Sequence, residues 1–142
     1  MGKKKREARS SKFDNDAMEK IYDINERALA FAARVMKMKR ALLKDQRVNK
    51  RAMAQVVDSS SSIYANLQEA RGTATQADFH AKVRIALKEA RESHGWLKYL
   101  RASECVTPKL ITPLICEADE IVAILVTIAK KVNPTNPAPP PD

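Results

Sequence analysis

Glycine, aromatic residues, histidine and cysteine are all scarce in this 142-residue chain, and each shortage removes a class of protein. Its three glycines, Gly2, Gly72 and Gly95, lie far apart, so no glycine-rich loop is available to cradle a phosphate. Aromatics are only 5%, which disfavours a β-sandwich or barrel. Cys105 and Cys116 have no nearby pair of histidines, match no zinc-site spacing, and cannot form the disulfide framework of a secreted miniprotein. They are expected to be packing or loop thiols. Neither His80 nor His94 follows a glutamate by three positions, so the Glu-x-x-His pairs of a di-iron bundle are missing. No serine sits in a nucleophile elbow. These absences lead to the expectation of a protein that is not an enzyme and uses no metal or cofactor.

No apolar run reaches the roughly 18 residues of a membrane span. Lys3-Lys4-Lys5-Arg6 is not followed by an apolar stretch, so the N-terminus does not read as a secretory signal, and the cytoplasm is the default location. Acidic residues are also short, 17 against 26 Lys plus Arg, giving a net charge of +9. That balance suggests an anionic partner, with nucleic acid first and an acidic protein or a membrane surface behind it. The bland alternative is a basic protein that is merely soluble.

What the chain does have is helix-forming composition. Hydrophobic residues make up 44%, which argues against disorder, and Ala, Leu, Lys, Arg and Glu dominate. A domain of this length buries roughly two-thirds of its unfolded surface, enough for a core without staples. Four segments repeat apolar or small residues at spacings of three and four. The first is Ile21, Ile24, Ala28, Phe31, Val35, Met38 and Leu42, and the second Met53, Val56, Ser60, Ile63, Leu67 and Ala70. The third is Phe79, Val83, Ala86, Ala90, Ser93, Leu97 and Leu100, and the fourth Leu114, Ala118, Ile121, Leu125, Ile128 and Val132. Sustained 3-4 spacing belongs to helices packed at shallow angles.

The punctuation agrees with these stripes. Asp16 with Glu19 resembles a capping box, Asn49 can cap the second helix, and Gly72 stands where its C-terminal cap belongs. Thr75 with Asp78 opens the third, Thr107-Pro108 or Thr112-Pro113 the fourth, and Asn133-Pro134 ends it. The spacing predicts helices over about 16–44, 49–71, 76–102 and 108–132. Connections this short make neighbours antiparallel, so the expected fold is all-α, an antiparallel up-down-up-down four-helix bundle over residues 14–132. Residues 1–13 read as a disordered basic arm and 133–142 as a Pro-rich disordered tail. The weak point is Asp58-Ser59-Ser60-Ser61-Ser62, where helix propensity is poor and a break is the alternative.

The outer faces carry the functional signals. Ile115, Val122 and Val126 lie off the fourth seam, Ile85 and Tyr99 oppose the third, and Trp96 is on a flank. An apolar band of this kind marks an interface, so a cyclic homo-oligomer is expected, the alternative being a fourth helix that is simply central. Glu92 falls between Ile85 and Tyr99. Asn66, Glu69, Glu89 and Glu92 are expected to fix register, the carboxylates pairing with Asn66 or Arg71.

Lys37, Lys39, Arg40, Lys44, Arg47, Lys50 and Arg51 crowd one end of the bundle against a single acid, Asp45. Arg84, Lys88, Arg91 and Lys98 share one face of the third helix. Both groups are candidate contacts to the phosphates of RNA or DNA, against the alternative of a solvated charged face. Without interleaved aromatics, base readout is not expected.

The string Ser62-Ile63-Tyr64-Ala65-Asn66-Leu67-Gln68-Glu69-Ala70 carries a resemblance, as do Asp78-Phe79, Ile85-Ala86-Leu87-Lys88-Glu89-Ala90-Arg91-Glu92-Ser93 and Trp96-Leu97. Over roughly residues 20–132 the chain resembles the bacterial four-helix bundle proteins first noticed as reading frames in intervening sequences of large-subunit ribosomal RNA. That family includes the accessory variability determinants of diversity-generating retroelements. The resemblance implies a homopentameric barrel with a basic surface and pore and no catalytic residues. For the retroelement branch it also implies binding to a reverse transcriptase and its template RNA. The basic N-terminal segment and Pro-rich tail depart from the minimal family pattern. The expected function is thus a non-enzymatic, oligomeric nucleic-acid-binding accessory protein. The alternative is a protein-interaction scaffold with no direct nucleic-acid role.

Overall fold

The computed structural model describes the backbone from Gly2 to Asn133 and the side chains from Glu19 to Asn133. Four helices make up the described residues: α1 (Gly2–Leu42), α2 (Lys50–Ala70), α3 (Gln76–Ala102) and α4 (Pro108–Lys131). No strand occurs among them. Each helix packs on its neighbour in sequence, and α1 closes onto α4. Among the described residues α1 does not meet α3, nor α2 meet α4. The arrangement is a four-helix bundle with one core.

The 3-4 stripes build that core. All the seam positions read from the sequence are buried, apart from Leu42, which is half-buried against the core. Ile21, Phe31, Val35, Val56, Ile63, Leu67, Leu97, Ile121 and Leu125 are each 0% exposed. Truncating one of the larger ones to alanine costs about 2–5 kcal/mol through lost transfer energy and the cavity left behind. Ala28, Ala86, Ala90, Ser59, Ser60 and Ser93 are equally buried, and such small residues let neighbouring helix axes approach closely.

The helix ends follow the capping chemistry, with two differences. Asn49 accepts from the N–H groups of Arg51 and Ala52, and Thr75 accepts from that of Asp78. Pro108 takes the first helical position after Thr107, which settles the choice between the two Thr-Pro pairs, and Pro113 lies inside α4. The first difference is at α1, which begins at Gly2 instead of residue 16. Residues 2–13 of the segment expected as a disordered arm, and Asp16 expected as a cap, fall within the helix. From Lys3 to Leu42 there is no Gly or Pro to stop it, and Lys, Arg, Glu and Ala propagate a helix well. Second, Gly72 follows the α2 cap residue, Arg71, without adopting a left-handed conformation; its N–H simply bonds the Glu69 carbonyl. The four-serine run stays helical, as its register predicts. Ser60 and Ser61 bond back to the carbonyls of Val57 and Asp58, and Ser93 of α3 donates to Ser59 of α2 at 2.8 Å. Tertiary packing of small polar residues overrides their weak propensity. The Pro-rich tail lies outside the described residues from position 134 onward.

Polar ties join the helices at their margins. Arg27 of α1 holds Glu117 and Glu120 of α4 at 2.8 and 2.5 Å, and its pKa is raised, first by Glu120. Asn25, buried on α1, donates to Gln68 of α2 at 2.6 Å, while its own Oδ1 has no partner.

Candidate nucleic-acid interface

The outer surface of α3 divides lengthwise. Arg84 and Arg91, two helical turns apart, border α4 together with His80, Leu87, Val126, Ala129 and Lys130, around a shallow depression of about 380 Å3. Its apolar floor keeps the cations at the rim, where Arg84, Arg91 and Lys130 are exposed. Lys88 continues the charge next to a second depression of about 870 Å3 that Arg84 and Arg91 also line, together with Ile85 and Glu92. Lys98, equally exposed, extends the row by two further turns. The four cations of α3 expected to share a face therefore do so. Lys130 and His80 join them from outside that expectation, because a contact between α3 and α4 leaves no trace in the spacing along either helix.

The other edge of α3 is apolar. Ile85 and Tyr99 are 42% and 50% exposed, and half-buried Trp96 meets Tyr99 edge-on with ring centroids 5.8 Å apart. Glu92 is exposed between them. The Glu89 carboxyl is pushed above its usual range, first by burial and then by the charge of Glu92. Val122 and Val126 are half-buried. Ile115 does not belong to this surface: it is 7% exposed and packs within the chain's own core, because its position turns it toward the buried side near the start of α4.

The expected carboxylate pairings are also revised. Glu69 binds Lys82 across α2 and α3 at 2.6 Å, and Asn66 donates to the Ser62 carbonyl within its own helix. Arg71 instead lies over the Tyr22 ring at 4.9 Å and reaches Gln68. The partner of Glu69 stands on the facing helix, which a reading of the second helix alone does not reveal.

At the α1–α2 turn, Lys37, Arg40, Lys44, Lys50 and Arg51 are exposed and Lys39 is half-buried. Arg47 differs from them. Asp45 accepts from its Nε, Nη2 and backbone N–H at 3.0, 2.8 and 3.0 Å. The Arg47 side chain, then its backbone N–H, holds the Asp45 carboxyl at about 2. Arg47 is exposed too, but its charge is paired with Asp45 within the turn. Cys105 is half-buried in the α3–α4 connection, Cys116 is exposed, and both are free thiols. Among the described residues no cluster of His, Cys, Asp and Glu could hold a metal ion, and no helix is long and apolar enough to cross a membrane.

Residues 20–127 match the family model described as 23S rRNA-intervening sequence protein. The chain belongs to that family. A similar solved structure is the crystal structure of a protein of unknown function from the S23 ribosomal protein family of Bacteroides thetaiotaomicron. It is 32% identical, with a TM-score of 0.72, and the match covers 78% of this chain and 98% of that one. No curated protein matches the chain. The matched span of this intervening-sequence family protein takes in α2 and α3 whole, parts of α1 and α4, and every cation of the α3 face. It stops at Thr127, before Lys130.

Proposed function

We propose that this chain is a non-enzymatic RNA-binding protein that self-associates through its apolar outer surface and holds RNA phosphates with the cations of α3. The observation that carries the reading is the row of exposed cations Arg84, Lys88 and Arg91, none of them in a salt bridge among the described residues, which meets Lys130 across the α3–α4 depression. Guanidinium and ammonium groups at the rim of an apolar floor suit phosphate oxygens, and such contacts position a backbone without reading its sequence. The family description, which refers to 23S rRNA, makes RNA the first nucleic acid to test.

In this reading the helices run up and down in alternation, supported by pairings such as Gln76 at the start of α3 with Val132 at the end of α4. Copies assemble into a cyclic homo-oligomer, a pentamer in the form that the family resemblance implies, and assembly multiplies the cationic rows. The reading extends to an accessory role beside a reverse transcriptase and its template RNA in the cytoplasm. The exposed Ile85 and Tyr99 favour a second reading, a scaffold whose partner is another protein.

Gel shifts with single-stranded RNA test the first reading. The wild-type chain retains RNA, and Arg84→Ala/Lys88→Ala/Arg91→Ala loses retention while keeping its helical circular dichroism. Equal retention by both proteins overturns the assignment of that face. Co-purification from the native host then separates the partners: RNA with a polymerase supports the accessory role, and protein alone supports the scaffold.

A further inference from the structure

A second apolar stripe runs along the outside of α1. Its exposed large hydrophobics are Tyr22, Leu29, Met36 and Leu43, 41% to 63% exposed and each seven residues from the next, Leu43 lying just past the helix end. Glu26, Ala33 and Arg40 fill the intervening positions and are exposed too. A seven-residue repeat held over 22 residues, about 31 Å of helix at 1.5 Å per residue, is the pattern of a helix that packs against another helix along its length. The inner face of α1 already has its partners in α2 and α4, so this outer stripe is a separate seam.

The outer face of α3 repeats at the same interval through Ile85, Glu92 and Tyr99. Its middle position is an acid in no salt bridge among the described residues, hydrogen-bonded to the Glu89 carboxyl, whose pKa is raised first by burial. The stripe of α1 contains the missing charge, Arg40, which is exposed and likewise unpaired among the described residues. If α3 paired with itself about a two-fold axis centred at Glu92, that residue would face its own copy, a repulsive contact. Pairing α1 with itself would satisfy Glu26 with Arg40 but leave the α3 stripe in water. Only contact between the two unlike stripes covers both and gives Glu92 a cation.

We infer that the α1 stripe of one copy of this chain docks on the α3 stripe of the next, a head-to-tail contact in which Arg40 meets Glu92. Because the two stripes lie on helices that do not touch within one bundle, each copy offers one donor and one acceptor face. Contacts of this heterologous kind propagate from copy to copy and close into a ring when the rotation between copies allows it. The inference rests on the self-association proposed above and specifies its surfaces. It leaves the α3–α4 depression, with Arg84, Arg91 and Lys130, uncovered for RNA, and borders the second depression, which Ile85 and Glu92 line together with Arg84, Lys88 and Arg91.

Sedimentation of the full chain and two surface variants tests it. Leu29→Glu/Met36→Glu blocks α1, and Ile85→Glu/Tyr99→Glu blocks α3; all four residues are exposed, so circular dichroism is expected to be unchanged. The wild type sediments as an oligomer, each variant alone as a monomer, and their equimolar mixture as a species of twice the monomer mass, because one intact contact remains. Arg40→Glu weakens assembly at least tenfold, and adding Glu92→Arg in the same chain restores it. A wild-type monomer overturns both this inference and self-association. A wild-type oligomer that persists in the α1 variant overturns the inference alone, as does a mixture that stays monomeric or an α3-blocked chain that dimerises by itself.

Discussion

The Ser59–Ser93 hydrogen bond is the most sharply testable feature of the bundle interior. Both residues are nearly inaccessible, 2% and 0% exposed, and the bond has a direction: Ser93 donates to Ser59 at 2.8 Å, while Ser59 donates onward to the Val56 carbonyl. Ser93→Ala removes a donor and leaves the Ser59 hydroxyl bonded to Val56. The loss is about 0.5–1.5 kcal/mol. Alanine's better helix propensity returns about half a kcal/mol of that. Ser59→Ala instead leaves the Ser93 hydroxyl buried without its acceptor, a loss of about 1–3 kcal/mol before the same propensity gain. The double variant has neither orphan and two better helix formers, so it is expected within about 1 kcal/mol of wild type. Urea denaturation followed by far-ultraviolet circular dichroism measures all four proteins. Ser59→Ala is the least stable, and the double variant is more stable than the sum of the singles requires, by at least about 0.5 kcal/mol. Additive losses, or a Ser93→Ala loss larger than that of Ser59→Ala, refute the argument.

Two further predictions concern α3. Gly95 is exposed in mid-helix and a Cβ there would meet nothing within 4 Å, so Gly95→Ala stabilises the fold by about 0.5–1 kcal/mol in the same denaturation assay. The Glu89 pKa is raised above its ordinary 4.5, first by burial and then by Glu92, so ionised Glu89 opposes folding. Stability is regained as pH falls through the raised value. Glu89→Gln is therefore more stable than wild type at neutral pH, and the gap closes as pH approaches 4.5; a gap that widens on acidification contradicts the assignment.

The inner faces of the four helices were legible from spacing alone, because burial on a helix repeats every three to four residues and each seam residue reports its own side. Ser60 and Ser93 were placed in the seams despite being polar, since register outweighs residue type. What crosses between elements was less legible. The Lys82 partner of Glu69, the place of Lys130 beside Arg84 and the Arg27 tie to Glu117 depend on which helices meet, and no single helix encodes that. The α1 stripe was hidden differently: its repeat was there, but Glu26 and Arg40 interrupt it, and the inner seam gave the helix a sufficient explanation. Ile115 failed in the opposite sense. Its position off the α4 seam suggested exposure, yet near the start of α4 the core is wide enough to take it in.

The most direct test of RNA binding by the α3 cations is how affinity for single-stranded RNA varies with salt. Four phosphate contacts per subunit, from Arg84, Lys88, Arg91 and Lys130, give a slope of log K against log salt of about −2.8. Raising salt from about 50 to 200 mM then weakens binding about fiftyfold. Arg84→Ala/Arg91→Ala is expected to flatten the slope by about 1.4. A flat salt response in the wild type, or the same slope in both proteins, would contradict the account.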